Sequence, residues 1–571
     1  MKNFWDTPFF RRRYLLAITA GLLWTGAFPK IDIAGFAWLA PGLMVAAVLG
    51  RSGTEVFRIG YTAGLTHYLS MLYWLLLIPY RWHGIPFGPA LGWLALGAFL
   101  ALFPASWVAL VHTSQSTVSP QPPEQSPQPK WPQDWSAVSR GVLARNWVRR
   151  TLWAISGAAA WVGWEMVLAR ILGGFPWDLL GVSQYRLVPL IQVASVTGVY
   201  GLSFLVVWTS LALLSAGLLV IRRPTVRSVW LGELFFPIIV VAILFNLGFR
   251  QLRNEGETAR TIKVAFVQPS IPQNLIWDPA NDTERFHQLV QLSEQALSRD
   301  QVQLLIWPEA ALPKKLRYDQ ETFESVTNLA GHHHTWMIIG SDDAEPRPHA
   351  SNSDEADYFN SSFLVSPEGR LVERYIKRNL VIFGEYVPLH RWLPFLKYLT
   401  PIEGGFTAGT HAVLFELKNL HVKTQVLICF EDVFPHLASH DVEPDTDFLV
   451  NLTNDGWFGE GAAQWQQAAT ALFRAVETRV PLLRCSNNGL TCWVDPYGRF
   501  RQIFHDERGS VYGSGVMLAE IPLLGPGERH PLTFYTRHGD CFGWSCVALT
   551  LTWAVLKLLK ILRARRFTGK L

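Results

Sequence analysis

"VLICFEDVF", Val426 to Phe434, runs an apolar segment straight into a cysteine and then two consecutive acids. Together with Thr424 and Gln425 the apolar part reads as a buried strand, and Cys429 falls where that strand gives way to a loop. Carboxylates beside a cysteine disfavour its thiolate, so the local sequence alone leaves Cys429 unreactive. Either a basic group reaches it from elsewhere in the chain, or it is a small filler of the core.

Working outward, five more stretches share the pattern of a short β-type run ending in a loop: "TIKVAFVQP", "VQLLIWPEAAL", "TWMIIGSDD", "YFNSSFLVSPEGRLVERYIK" and "FLVNLTNDGWFG". Residues 280–298 and 464–479 read as helices between them. Strands alternating with helices predict an α/β domain whose sheets are buried between helical layers. Functional groups are expected where such strands end, and three ends carry them: Glu309 after "LLIWP", Lys377 with Glu385 in "YIKRNLVIFGEYVP", and Cys429.

Singly, each has an ordinary reading as a turn acid, a solvated lysine or a core thiol. Jointly they form a chemical set. A thiol nucleophile needs a base, and Glu309 in a dry pocket serves if burial raises its pKa. The oxyanion formed on attack needs a cation or N–H donor, which Lys377 and the amide after Cys429 supply. Lys377 is also the expected basic partner that offsets the neighbouring acids and favours the thiolate.

The 571 residues are too many for one ordinary domain, and the composition divides them unevenly. Residues 1–250 are oily and residues 251–530 are not. Bilayer-length apolar stretches fall at 14–29, 33–50, 60–79, 86–111, 151–172, 190–220 and 231–249, with an eighth at 542–562. Eight spans put Arg11 to Arg13, Arg51 and Arg58, Arg140 to Arg150, Arg222 to Arg227 and Arg563 to Lys570 on one side. By the positive-inside rule that side is the cytoplasm, with both termini there and the large polar segment outside. Retained spans favour an amino-terminal anchor over a cleaved signal peptide.

"STVSPQPPEQSPQPKWPQDW", Ser116 to Trp135, is rich in proline and glutamine and is expected to be part of a disordered cytoplasmic loop, residues 113–150. A formal charge of +5 is small for this length, and no nucleic-acid motif is present. The five cysteines and the histidines show no zinc-like spacing, so no metal is expected; Cys485 and Cys492 are the pair most suspected of a disulfide.

The order Glu, Lys, Cys with the signals WPE, YIKRNLVIFGEYVP, CFED and NLTNDGWFG resembles the nitrilase superfamily. More narrowly, nearly the whole chain is similar to the apolipoprotein N-acyltransferase family, through "GGFPWDLLG" (Gly173 to Gly181), "TGVYGLSFL" (Thr197 to Leu205), "VQPSIPQNLIW" (Val267 to Trp277) and "RCSNNG" (Arg484 to Gly489). The resemblance implies a polytopic α-helical membrane domain of about eight transmembrane helices in all, about seven of them in 1–250, an extracytoplasmic nitrilase-like αββα sandwich (251–530), and the last transmembrane helix with a cytoplasmic tail (531–571).

It further implies a monomer in the bacterial inner membrane, without cofactor, that works on two lipids. Cys429 takes an acyl chain from a phospholipid, typically phosphatidylethanolamine, and passes it to the amine of a diacylglyceryl-modified apolipoprotein cysteine. Glu309 is then the base and Lys377 the oxyanion partner, with Glu385 orienting Lys377. Glu431 and Phe430 support the nucleophile loop, and Trp277, Tyr386, Asn454 and Trp457 line or support the substrate pocket. Two positions depart from the family pattern: Ile382 stands where proline is usual, and "GAAQWQQAA" lacks a histidine often found there. Two other functions fit the residues less well, a membrane-bound nitrilase-type amidase and a non-catalytic lipid-binding scaffold.

Overall fold

The computed structural model describes residues 8–51, 53–78, 87–113, 146–222, 228–253, 260–276, 278–347, 356–388, 405–525 and 527–568. It divides into two compact units. One comprises Met1–Tyr73, Trp93–Gln251 and Asp540–Leu571, the other Trp74–Gly92 and Leu252–Gly539.

The first unit is helical. Its principal helices are Pro8–Gly26, Ala40–Val48, Thr54–Met71, Leu102–Thr113, Trp147–Leu168, Val199–Arg222, Ser228–Arg253 and Cys541–Thr568. Among the described residues, four segments are long and apolar enough to cross a membrane: Gly88–His112, Val199–Ile221, Gly232–Arg253 and Cys541–Leu559. Phe235, Ile238, Ile243, Leu549, Leu551 and Val555 are exposed on two of these, as lipid-facing helices require.

Small residues let the helices approach. A Cβ on Gly64 would lie 2.4 Å from the Pro104 ring, and one on Gly21 would lie 2.4 Å from the Ala63 carbonyl. His67 stacks on Trp24 with ring centroids 3.6 Å apart, and Glu165 accepts from Trp161 Nε1 and the Leu180 amide. Both polar side chains are therefore packed between helices. Arg150 is buried against Glu233, which also accepts from Ser215.

Residues 147–150 were expected in a loop but begin a helix, because the Asn146 side chain caps it by accepting from the Arg149 amide at 3.0 Å. The proline-rich stretch Ser116 to Trp135 lies outside the described residues.

The second unit is built on two six-stranded sheets. In the first sheet β12 (Gly515–Pro522) pairs with β1 (Thr261–Gln268), followed by β2 (Leu304–Ile306), β3 (Trp336–Pro346), β4 (Ala356–Val365) and β5 (Leu371–Ile376). The second runs β11 (Phe500–Ile503), β10 (Cys492–Val494), β9 (Leu482–Ser486), β8 (Phe448–Thr453), β7 (Val422–Ile428) and β6 (Leu414–Leu417). In each sheet the three central strands, β1 to β3 and β7 to β9, are parallel and the outer ones antiparallel.

Alternation along the strands makes two layers of core. Val264, Phe266, Ile306 and Ile338 face Val426, Ile428, Val450 and Leu452 across the sheets. Ala265, Val267, Leu305 and Ile339 face the helices Asp282–Arg299 and Gln320–His333 on the outside. Each fully buried side chain of this kind contributes roughly 1.5–3 kcal/mol. Helices Pro435–Asp441 and Ala463–Thr478 belong to the second sheet, completing an α/β sandwich.

Cys485 and Cys492 are free thiols, which corrects the suspected disulfide. The pairing of β9 with β10 explains it. Cys492 sits opposite Arg484, so Cys485, one residue on, points to the other face of the sheet. Its thiol instead approaches the Val267 and Ile306 carbonyls at 3.4 Å.

Candidate active site

Each reactive group follows a strand whose core residues leave it no freedom. After β2, Trp307 is fully buried and its amide bonds the Ile338 carbonyl at 2.9 Å, so Pro308 turns the chain and delivers Glu309 inward. Ala310 then adopts a left-handed φ of +47°, and the turn lies so close to β3 that only glycine fits at position 340. A Cβ there would stand 2.3 Å from the Pro308 oxygen and 2.7 Å from the Glu309 Cα.

β5 delivers Lys377, whose amide bonds the Asn360 carbonyl on β4 at 2.9 Å. β7 delivers Cys429, a non-glycine residue at φ +52°. That strained elbow is held from two sides: Asn451 Nδ2 and Gln467 Nε2 both donate to the Cys429 carbonyl, at 3.0 and 3.2 Å.

The three ends converge. Lys377 Nζ lies 2.7 Å from Glu385 Oε1 and 3.3 Å from Glu309 Oε1, with only 1% of Lys377 exposed. Asn360 Nδ2 donates to the same two carboxylates, at 2.8 Å to Glu309 and 3.0 Å to Glu385. The other oxygen of Glu385 accepts from the Val381 amide at 2.9 Å. Cys429 is partly exposed and lies near enough to Glu309, Lys377 and Glu385 to feel their charges.

Burial raises Glu309 above the ordinary carboxyl range; Lys377 opposes that shift and Glu385 reinforces it. Lys377 would be lowered by burial, but Glu385 and Glu309 outweigh it and hold the ammonium charged. Burial and then Glu309 push the Cys429 thiol well up, and Lys377 only partly offsets them. The resting nucleophile is therefore the thiol, not the thiolate expected from Lys377 alone. A thiol beside a raised carboxylate and a fixed ammonium suits general-base attack on a carbonyl.

The two acids after Cys429 do not face it as the linear sequence suggests. Glu431, fully buried, accepts from the amides of Ile428, Arg378 and Asn379 at 2.8, 2.7 and 3.1 Å and from the Tyr375 hydroxyl. It thus ties the nucleophile turn to the loop that bears Lys377. Asp432 accepts from Gln467 at 3.0 Å and pairs with Arg484, which forks onto Asp455 at 2.9 and 3.1 Å.

Phe430 packs edge-on against Phe434, 5.3 Å between centroids. Asn454 is buried between Gln273 and Asn487 at 2.9 and 3.0 Å. Tyr386 and Trp457 are half-buried, and Trp277 lies outside the described residues. Asn360, Asn451 and Gln467 were not singled out in the sequence. Their only signal is an amide in a run that otherwise reads as buried strand or helix.

Residues 263–523 match the carbon–nitrogen hydrolase family, and residues 20–212 match the apolipoprotein N-acyltransferase N-terminal domain. A relative from Geobacter metallireducens named apolipoprotein N-acyltransferase is 34% identical over 94% of this chain and 94% of its own. The chain belongs to the apolipoprotein N-acyltransferase family. A second apolipoprotein N-acyltransferase, from Chlorobaculum tepidum, is 30% identical over 71% of this chain and 76% of its own. Among solved structures, an amidase from Nesterenkonia sp. is 14% identical, covering 47% of this chain and 93% of its own with a TM-score of 0.34. For this apolipoprotein N-acyltransferase family member the fold assignment rests on the strand order itself.

Proposed function

We propose that this chain is an N-acyltransferase that completes lipoprotein maturation by a two-step acyl transfer through Cys429. The observation that carries this reading is the buried Lys377 shared by Glu309 and Glu385, with Cys429 near enough to feel all three charges. In the first step Glu309 takes the thiol proton as Sγ attacks the ester carbonyl of a phospholipid, phosphatidylethanolamine. The developing oxyanion faces the Lys377 ammonium. Collapse of the intermediate breaks the C–O bond, Glu309 returns the proton to the glycerol oxygen, and lysophospholipid leaves a thioester.

In the second step the free α-amine of a diacylglyceryl-modified apolipoprotein cysteine attacks that thioester. Glu309 accepts the amine proton and passes it to the departing thiolate, which regenerates Cys429. Glu385 orients Lys377, Glu431 fixes the nucleophile turn with Phe430 beside it, and Trp277, Tyr386, Asn454 and Trp457 serve the substrate pocket. Burial of Lys377 favours a water-poor site, which a thioester awaiting an amine requires.

Both substrates have membrane-embedded tails, so the enzyme works at the bilayer surface. About eight spans in residues 1–250 and 531–571 give alternate loops their arginines. The catalytic domain, 251–530, is then periplasmic and both termini cytoplasmic in a bacterial inner-membrane monomer. No metal or organic cofactor takes part. The test is transfer of a labelled acyl chain from phosphatidylethanolamine to a diacylated lipopeptide by the full-length chain in detergent. Glu309→Gln and Lys377→Met are expected to slow it about 10²–10³-fold. Release of free fatty acid with no acylated peptide overturns the reading in favour of a hydrolase.

A further inference from the structure

A cavity of about 410 Å³ lies in the catalytic unit beside the acid cluster. Its wall runs from Ala310, the residue after Glu309, through Leu312, Lys314 and Lys315 to Arg285 and Asp342. The register of β3 on β4 sets Asp342 directly opposite Asn360, the residue that bonds both Glu309 and Glu385. Side chains paired in this way share one face of a sheet, so the cavity and the reacting carboxylates are neighbours. Its volume falls within the roughly 300–1,000 Å³ of small-ligand sites.

Three charged groups on this wall have unused bonding capacity. Arg285, 4% exposed, spends one guanidinium nitrogen on the Ile276 carbonyl and Asp282, but its buried Nε has no partner among the described residues. The half-buried Lys315 forms no ion pair among the described residues; its ammonium sits 5.1 Å from the Tyr358 ring centroid. The Asp342 carboxylate accepts no hydrogen bond among the described residues. Burial, then Glu309, pushes it up to about 7, while Lys315 pulls the other way. Lys314, by contrast, is already bonded to Asp319 at 3.0 Å.

Charged groups with unused bonding capacity in a sheltered wall are stabilised when something carrying the opposite charges seats against them. Two cations and one acid around a single cavity match a zwitterion whose anion is planar-forked or tetrahedral. Guanidinium and ammonium together are the usual donors to phosphate.

We propose that this cavity is the headgroup subsite for the acyl donor, where Arg285 and Lys315 hold the phosphodiester of a phospholipid and Asp342 faces the ammonium of an ethanolamine-type headgroup. The proposal rests on the acyltransferase reading above. It places the glycerol ester, a few bonds from the phosphodiester, on the side of Glu309 that leads to Cys429. Donor preference then comes from the charge pair, with Asp342 selecting amine-bearing over uncharged headgroups.

The test compares two acyl donors on full-length enzyme in detergent: phosphatidylethanolamine, and an activated acyl ester of the same chain length with no phosphate. Lys315 lies on a loop, so Lys315→Ala and Lys315→Glu probe the site without emptying the core. Both variants are expected to lower kcat/KM for Cys429 acylation by phosphatidylethanolamine about tenfold or more beyond any loss with the headgroup-free ester. Asp342→Asn is expected to narrow the preference for phosphatidylethanolamine over phosphatidylglycerol. Added inorganic phosphate or phosphoethanolamine separates the sources. Competition by both at equal concentration means a free-anion site and overturns the lipid assignment, whereas stronger competition by phosphoethanolamine supports it. Equal losses with both donors in the Lys315 variants, or no loss with either, overturn the subsite while the acyltransferase reading stands. Failure of wild-type enzyme to acylate from any donor overturns that reading itself.

Discussion

The ammonium of Lys377 lies 2.7 Å from Glu385 and 3.3 Å from Glu309, so one buried cation is shared unequally by two carboxylates, with the proposed base the farther one. Burial is the main reason Glu309 is raised, and the like charge of Glu385 adds to it while Lys377 opposes both. The sign of a substitution follows. Glu385→Gln removes the like charge and leaves Lys377 to Glu309 alone, which lowers the Glu309 pKa. Glu309 must be ionised to act as base, so the rate of Cys429 acylation falls as pH drops through its raised pKa. In Glu385→Gln that acidic limb is expected at lower pH than in wild type. A pH profile of acylation by an activated ester reads it, and a limb that stays put or moves up contradicts the assignment.

Asn360 donates to both carboxylates through one amide nitrogen. Asn360→Ala leaves two buried oxygens short of a donor, at about 1–3 kcal/mol each. The expected result is a fall in kcat of about tenfold to a hundredfold with KM for the lipid nearly unchanged. Asn360→Asp is expected to be worse, since it sets a third carboxylate around one ammonium. A loss confined to KM would place Asn360 in substrate binding instead.

Glu431 has both oxygens committed to donors on two different loops. Glu431→Gln turns one oxygen into an NH₂ that must face backbone N–H groups. We expect a lower Tm together with a loss of Cys429 acylation, because the nucleophile turn and the Lys377 loop come apart together. Thermal melting and adduct formation measured on the same preparation check the pairing. Lost activity at an unchanged Tm would make Glu431 a direct participant.

Gly340 lies on β3, in the other sheet from the strand that ends at Cys429, yet Gly340→Ala drives a methyl into the Pro308–Glu309 turn. Overpacking of this kind costs about 1–3 kcal/mol. A displacement of the base by about 1 Å is enough to slow the chemistry roughly 10²-fold. Kinetics of the purified variant, with circular dichroism to show an intact fold, test whether this glycine serves the site.

Much of this was legible before any coordinates. "TIKVAFVQP", "TWMIIGSDD" and "FLVNLTNDGWFG" declare themselves by apolar runs that stop at polar turns, and β1, β3 and β8 are found there. Glu309, Lys377, Glu385 and Cys429 stood out because each charged or nucleophilic group followed such a run, and they do meet. The amides that hold them did not stand out. Asn360 lies inside β4, where an asparagine looks like a blemish until Glu309 and Glu385 arrive from other strands. Cys485 and Cys492 misled for a similar reason, since spacing along the chain does not reveal which face of a sheet a residue occupies. Lys377 does favour the Cys429 thiolate as expected, but the burial of Cys429 and the charge of Glu309, neither visible in the local sequence, outweigh it.

The most direct measurement of the central claim is intact-protein mass spectrometry of the full-length chain incubated with phosphatidylethanolamine, wild type beside Cys429→Ala. An acyl-sized, hydroxylamine-labile mass increase on wild type alone, discharged by a diacylated lipopeptide, is the expected result. The absence of any adduct on a folded wild-type protein, or an equal adduct on Cys429→Ala, would contradict acyl transfer through Cys429.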